Sequence, residues 1–424
     1  MNPDKPAHRS KRTPYEQVRG FALYEAWRKV RENGLRSLSL ETQNAIREFE
    51  GSLPTHLRRI NRHLRDGTFQ FIPQTGVLKK RPGKKPRPLV VGAIQNRIVQ
   101  RAILDVLQEI PAVDMILKTP SSFGGIRERD RKAAIAAARV SIRAGSRYFI
   151  RSDIRDFFTK IPRHVILDFL GRHIKDAKFL DLVKCAMETM LANLAQLGED
   201  AALFPLGSEG VAQGSPLSPL MGNILLSNFD KQMNGRGITC LRYIDDFLLL
   251  GPDAAKVRKA FENAQKKLAA FGMEPYDPRI APDKAEMGET AKRFDFLGCT
   301  MLPGFVQPSR KARRKLMEVV KEKLKAGRTE MIVASKRASH QMPRKRFVQT
   351  LTDLDNFLLG WGHAYAFCND QELFKQLDET ISKAVREFMQ WSDRFLSGPD
   401  PAFRRALGVH LLSDTLLTPL TPNG

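Results

Sequence analysis

Two adjacent acids, Asp245 and Asp246, stand between Tyr243-Ile244 and the apolar run Phe247-Leu248-Leu249-Leu250. Burying two anions in so apolar a segment is costly unless something neutralises them. A tight hairpin could set both at a strand tip beside a divalent cation; taken alone, the pair reads equally as an ordinary Asp-Asp turn. A third acid, Asp153, follows Phe149-Ile150 and leads into Phe157-Phe158. By itself Asp153 reads as an N-cap or turn residue. Two strands that each end an apolar run with acid at the tip can converge three carboxylates on two oxygen-ligated Mg2+ ions roughly 3.5–4 Å apart. One ion then activates a hydroxyl and the other steadies a leaving phosphate, the arrangement that nucleotidyl transfer needs.

The elements that must hold these acids follow from periodicity. Residues 147–158 and 239–251 are rich in strand formers and contain the acids. Residues 71–88 read as a strand, a turn at Arg81-Pro82-Gly83-Lys84, and a returning strand. Helical spacing appears at Leu53, Leu57, Ile60 and Leu64, and at Ile98, Ala102, Val106 and Ile110. Val257, Phe261, Leu268 and Phe271 predict another helix, stopped by Gly272. After Pro308 the pattern is helical throughout, in three segments marked by Leu316-Val320-Leu324, Leu354-Phe357-Leu358-Trp361-Tyr365 and Leu377-Ile381-Val385-Phe388. The fold class expected is α+β, an antiparallel sheet with packed helices followed by a helical module.

Charge narrows the partners. The 424 residues carry 70 Lys+Arg against 46 Asp+Glu, a net charge of +24, which favours a polyanion and most commonly nucleic acid. The surplus clusters: residues 79–101 hold eight cations and no acid, and residues 310–328 hold nine cations against Glu318 and Glu322. Either run could also be a solvated face. Hydrophobic residues at 42% exclude a wholly disordered chain. No apolar run approaches the roughly 18 residues of a membrane span, and no membrane partner is expected. The basic N-terminus lacks the apolar stretch of a secretory signal. Cys185, Cys240, Cys299 and Cys368 are scattered, which fits a reducing cytoplasm better than a disulfide or zinc scaffold.

Asp153, the stretch Gln213-Gly214-Ser215-Pro216-Leu217-Ser218-Pro219 and Tyr243-Ile244-Asp245-Asp246 stand in the order and spacing of a reverse transcriptase. The sequence resembles the bacterial group II intron class of these enzymes from about residue 53 to residue 391. Residues 80–100 resemble the fingers motif, and residues 120–138 the following block, where the family often has Tyr-Gly-Phe-Arg-Pro. Residues 294–300 resemble the Phe-Leu-Gly primer grip, and residues 354–367 the Gly-Trp-bearing thumb helix. The resemblance implies a right-hand polymerase. Residues 1–50 would be a basic arm and helical extension, 51–305 fingers and palm, 306–395 an α-helical thumb, and 396–424 a tail.

It also implies roles. Asp153 would hold two Mg2+ ions (with Mn2+ a possible substitute), joined by Asp245 and the Ile154 carbonyl, with Asp246 nearby. Phe158 matches the steric gate that selects dNTPs by clash with a 2′-hydroxyl; Phe157 beside it competes for that role. Lys80 and Arg87 match the cations that clasp the triphosphate, and Gln213-Gly214 the loop lining the nucleotide pocket. Lys284 matches the lysine that protonates the departing pyrophosphate. Arg97, Arg101, Tyr243, Leu297, Gly298, Arg310, Lys311, Arg313 and Arg314 would touch template or primer.

Departures narrow the subgroup. The Asp that usually precedes Arg in the fingers helix is Asn96. A Cys/His endonuclease module and the Val-Thr-Gly of retron enzymes are absent, and Gln213-Gly214 differs from the Ser-Gln of diversity-generating elements. The expectation is a compact standalone enzyme that copies a structured noncoding RNA into cDNA from a DNA or RNA primer, in antiphage defence. A maturase-type RNA-binding splicing protein and a template-independent polymerase are the alternatives.

Overall fold

The computed structural model describes residues 12–37, 39–81, 84–336, 346–397, 402–409 and 411–414, with the backbone alone for Lys80, Arg81, Lys84, Lys85, Ala402 and Asp414. The first eleven residues of the arm and extension expected at 1–50 lie outside them. The chain divides into two compact units, Met1–Glu289 and Thr290–Gly424.

In the first unit, β1 (Thr75–Arg81) and β2 (Lys84–Val91) form the antiparallel hairpin that the Pro-Gly punctuation predicts. A five-stranded sheet has the order β3-β5-β6-β4-β7, built from β3 (Ser122–Phe123), β4 (Tyr148–Asp153), β5 (Thr239–Tyr243), β6 (Asp246–Gly251) and β7 (Glu286–Glu289). Phe247 to Leu250 are fully buried. β6 therefore reads as a continuous apolar run rather than an alternating one, because both of its faces are covered. Helix Ala254–Ala269 covers one stretch of β4 and β6 with Val257, Phe261, Ala264 and Leu268. Gly272, at φ 68, ends that helix where the spacing predicts.

Residues expected as an N-terminal extension belong to this unit's core. Leu23, Trp27 and Val30 of helix Phe21–Leu35 and Ile46 of helix Leu40–Gly51 join Ile98, Ile103 and Phe247 in one apolar cluster.

Asn96 explains its own departure. It is fully buried, donates from Nδ2 to the Ile72 carbonyl at 2.7 Å and accepts the Ile72 N–H at 3.2 Å. Only an amide both donates and accepts in this way; an ionised Asp accepts alone.

The second unit begins with a three-stranded sheet of β8 (Phe294–Phe296), β9 (Cys299–Leu302) and β10 (Phe305–Pro308), ordered β10-β9-β8. It continues with helices Arg310–Ser335, Phe347–Tyr365 and Gln371–Leu396, whose Leu316, Val320, Leu324, Leu354, Ile381 and Phe388 form its core. The sheet thus clusters with the helices, whereas the expected boundary at 305/306 would group it with the strands before it. The expected tail is corrected in part: residues 402–407 are helical, and Ala406 is buried in the same core. Among the described residues, no helix is long and apolar enough to cross a membrane.

Replacing Asn96 by Asp should destabilise the protein by about 1–3 kcal/mol, because the Ile72 carbonyl loses its donor and a charge is buried. Urea unfolding of the two proteins measures the difference.

Candidate active site

The acids converge because the sheet register puts them together. Asp153 ends β4 and is the direct cross-strand partner of Asp246, the first residue of β6. The Ile154 amide donates to the Asp245 carbonyl at 3.1 Å, which stitches the end of β4 to the β5–β6 turn. The Tyr276 amide donates to the Asp153 carbonyl at 3.1 Å from the other side. Three carboxylates thus meet at one end of a buried sheet.

Their electrostatics show the strain of that meeting. Burial, then the charges of Asp245 and Asp246, push the Asp153 carboxyl up to about 7, with Lys284 opposing. Burial also raises Asp245, opposed by its own and the Asp246 amide and by the Arg87 guanidinium. The contact between the two carboxyls raises Asp153 further and lowers Asp245.

The same residues fit a divalent cation. Asp153 Oδ1 is buried with no hydrogen-bond partner, an orphaned oxygen beside two further carboxyl groups. Among the described residues no three His, Cys, Asp or Glu side chains form a ready-made cage. Mg2+ does not require one, since it is commonly held by one or two carboxylates together with substrate phosphates and water.

Cations and a loop surround the acids. Lys284 Nζ lies 4.0 Å from Asp153 Oδ2 and 5.1 Å from the centroid of the Tyr276 ring, which Arg155 also faces at 4.8 Å. Arg87, exposed on β2, donates from Nε to Gln213 Oε1 at 2.6 Å. The Val90 amide donates to the Gln213 carbonyl at 2.8 Å. Gly214 follows at φ +120, where a Cβ would stand 2.5 Å from the Val90 carbonyl oxygen; this close approach requires glycine. Phe157 is buried, its ring against Gly222, whereas Phe158 is only half-buried and its carbonyl accepts from Val211.

The residues expected to touch nucleic acid divide into groups. Tyr243 pairs with Asp246 across the turn and is half-buried. Arg97 is half-buried, its guanidinium pKa lowered by burial. Arg101 is paired with Asp105 at 2.8 Å, an acid that also takes Lys29 at 2.9 Å, so part of its charge is spent inside the fold. In the second unit, Leu297 and Gly298 form the two-residue turn between β8 and β9, both with positive φ (49 and 75). That is the type I′ pattern, in which the second residue favours glycine. Arg310, Lys311, Arg313 and Arg314 occupy the first turn and a half of helix Arg310–Ser335, behind the Ser309 cap. Cations are unfavourable at a helix N-terminus by a few tenths to about 1 kcal/mol each. Gathering four there makes that end a strong positive pole.

Residues 77–301 match the family described as reverse transcriptase (RNA-dependent DNA polymerase). The chain belongs to this family. Among curated relatives, protein YkfC of Escherichia coli (strain K12) is 30% identical over 192 residues, covering 44% of this chain and 48% of that protein. The group II intron-encoded protein LtrA of Lactococcus lactis subsp. cremoris is 25% identical over 185 residues, covering 43% and 29%. The chain therefore spans about half the length of the first relative and less of the second. Among solved structures, a partial Cas6-RT-Cas1–Cas2 complex is similar at a TM-score of 0.36 and 20% identity, over 62% of this chain and 44% of that one. Apo telomerase from Candida tropicalis, truncated from its C-terminal domain, is similar at 0.41 and 14%, over 56% and 55%. The matched residues 77–301 take in the five-stranded sheet and all three acids, Asp153, Asp245 and Asp246.

Three features escaped the sequence. Arg242 and Asp230 form a fully buried ion pair beneath the β5–β6 turn. Arg129 donates to the carbonyls of Lys118, Thr119 and Ser122 and so braces the loop before β3. Helix Leu53–Arg65 buries Ile60 and Leu64 and exposes Arg58, Arg59, Arg62 and Arg65, with no acid in the helix. A groove of about 400 Å³ beside it is lined by Arg59, His63, Phe69 and Ile72, among others. The complementary reading of that helix, its cations rather than its leucines, was available from the same spacing.

Because native Asp153 holds its proton to about 7 against 3.8 ordinarily, the folded state binds more protons than the unfolded chain between those values. Stability of the metal-free protein should therefore fall as pH rises through that window. Thermal unfolding in a chelator should show the fall in wild type and a flatter profile in Asp153→Asn.

Proposed function

We propose that the protein is an RNA-directed DNA polymerase that extends a primer by two-metal nucleotidyl transfer, and that this reading rests above all on the convergence of Asp153, Asp245 and Asp246 with an orphaned Asp153 oxygen. Asp153 and Asp245 would hold the Mg2+ pair, with the Ile154 carbonyl and Asp246 adjoining. When bound, Mg2+ activates the primer 3′-hydroxyl and neutralises charge on the departing pyrophosphate.

The chain's own residues do the rest. Arg87, oriented by Gln213, presents a bidentate grip to a triphosphate. Lys80 follows Lys79, the cross-strand partner of Arg87, and would supply a second cation to the same group. Gly214 lets the loop backbone approach the nucleotide. Half-buried Phe158 rather than core-bound Phe157 forms the floor under the sugar and rejects a 2′-hydroxyl by clash. Lys284 stands close enough to the acids to deliver a proton to pyrophosphate. The positive pole at Arg310, Lys311, Arg313 and Arg314, with Leu297-Gly298, contacts template–primer backbone without reading sequence. In the first unit, the exposed arginines of helix Leu53–Arg65 offer a cationic face of their own to phosphate.

The biological setting we infer, on the sequence resemblance, is antiphage defence with a structured noncoding RNA as template. Sequencing the RNA and DNA that co-purify with the protein tests this. A single enriched RNA and its complementary DNA support it, and unrelated cellular RNA with no complementary DNA counts against it.

On a primed RNA template with dNTPs, Asp153→Ala or Asp245→Ala should bring primer extension below detection. Phe158→Ala should leave extension with dNTPs but admit rNTPs. Substantial synthesis by either aspartate variant contradicts the two-metal reading, and unchanged sugar discrimination removes Phe158 as the gate.

A further inference from the structure

The β5–β6 turn adopts a conformation that its sequence disfavours. Tyr243 pairs with Asp246, which leaves Ile244 and Asp245 as a two-residue loop. Ile244 has φ 61, and Asp245 is not among the positive-φ residues. A positive φ at the first loop residue alone is the type II′ pattern, where glycine is favoured. A β-branched residue there is an outlier of about 1–3 kcal/mol. The side chain is closely fitted as well: a Cβ on Gly124 would stand 2.9 Å from Ile244 Cγ1.

Three hydrogen bonds hold this strained loop. The Ile244 amide donates to the Phe123 carbonyl at 3.3 Å, and the Asp245 carbonyl accepts from the Ile154 amide at 3.1 Å. Both are backbone contacts. The third, on the Ile244 carbonyl, comes from a side chain: Arg242 Nη1 donates at 2.8 Å. That carbonyl belongs to the peptide group leading directly into Asp245.

Arg242 is itself immobilised. It is fully buried, donates from Nε to Asp230 Oδ1 at 2.7 Å and from Nη2 to Asp230 Oδ2 at 2.6 Å, and reaches Ser122 Oγ at 2.7 Å. A buried ion pair of this kind contributes little net stability against an apolar replacement. What an apolar pair lacks is a fork that grips a carboxylate on one edge and a carbonyl on the other. Lysine, a point charge on a flexible stem, lacks it too.

We propose that Arg242, fixed by Asp230 and Ser122, is a positioning residue that holds the Ile244–Asp245 peptide in its strained conformation and thereby aims the Asp245 carboxylate toward Asp153. This rests on the polymerase reading above.

The test combines Arg242→Lys, Ile244→Gly and the double variant. Steady-state primer extension gives kcat and the dNTP KM, and hydrogen exchange reads the amides of 244–246 in chelator. Arg242→Lys should lower kcat about a hundredfold, the scale of a small misplacement of a reacting group, with KM little changed. Exchange should quicken at the turn while β4 and the rest of β6 stay protected. Ile244→Gly, which favours the turn intrinsically, should restore much of the lost kcat in the double variant. Wild-type kcat and turn exchange in Arg242→Lys overturn the proposal. So does exchange that quickens uniformly across the sheet, or no recovery on adding Ile244→Gly. Should Arg242→Lys not fold, Ser122→Ala unpairs no charge; it should still quicken turn exchange and lower kcat severalfold, and wild-type behaviour in both overturns the proposal. The exchange readout needs no synthesis, so a wild type inactive on RNA would sink the polymerase reading separately.

Discussion

Like charges held together in a poorly solvated corner are the constraint on which this site is built. Asp153 and Asp246 face each other in register, Asp245 beside them pushes the Asp153 carboxyl up, and one Asp153 oxygen has no partner. Left alone, such a cluster would spread apart or stay protonated. The surrounding fold prevents the first: β6 is buried along its length, the Ile154–Asp245 hydrogen bond ties the two strand ends, and Arg242 grips the turn from below. The second is countered from the solvent side, where Lys284 and Arg87 lower the acids' affinity for protons. The site is thus stable as a scaffold and unsatisfied as a charge distribution, the state that a divalent cation relieves.

The positive surplus divides on the same logic. Some cations are absorbed within the fold: Arg242 by Asp230, Arg101 and Lys29 by Asp105, and Arg129 by three carbonyls. Others are presented outward, among them Arg87 on β2, the arginines of helix Leu53–Arg65 and the first turn of helix Arg310–Ser335. A net charge alone does not distinguish these populations. Burial and partners do, and the exposed set is the one available to a phosphate backbone.

Much of this was legible in the sequence where the signal is local. The hairpin at 75–91, the helix ended by Gly272 and the strands ending in Asp153 and beginning at Asp246 follow from turn residues and apolar periodicity. Apolar pattern alone does not separate Phe158 from Phe157; the resemblance favours Phe158, and Gly222 shows that the Phe157 ring enters the core. Arg242 was hidden for a different reason. It reads as one polar residue alternating within a strand; its partner Ser122 lies on β3, which the sheet order sets beside β5, and Asp230 lies on helix Ser227–Gln232. Asn96 looked like a loss when compared with the family's Asp, yet its amide satisfies both backbone groups of Ile72. Local pattern specifies which elements form; the polar contacts that aim a side chain depend on which elements become neighbours.

The most direct measurement is a structure of the protein with a primed RNA template, a non-reacting dNTP analogue and Mn2+, located by its anomalous scattering. The account predicts two ions, both touching Asp153 and at least one touching Asp245, with the Arg242 guanidinium still on the Ile244 carbonyl. Ions that bind away from Asp153, or a single ion with Asp245 turned out of the site, would contradict it.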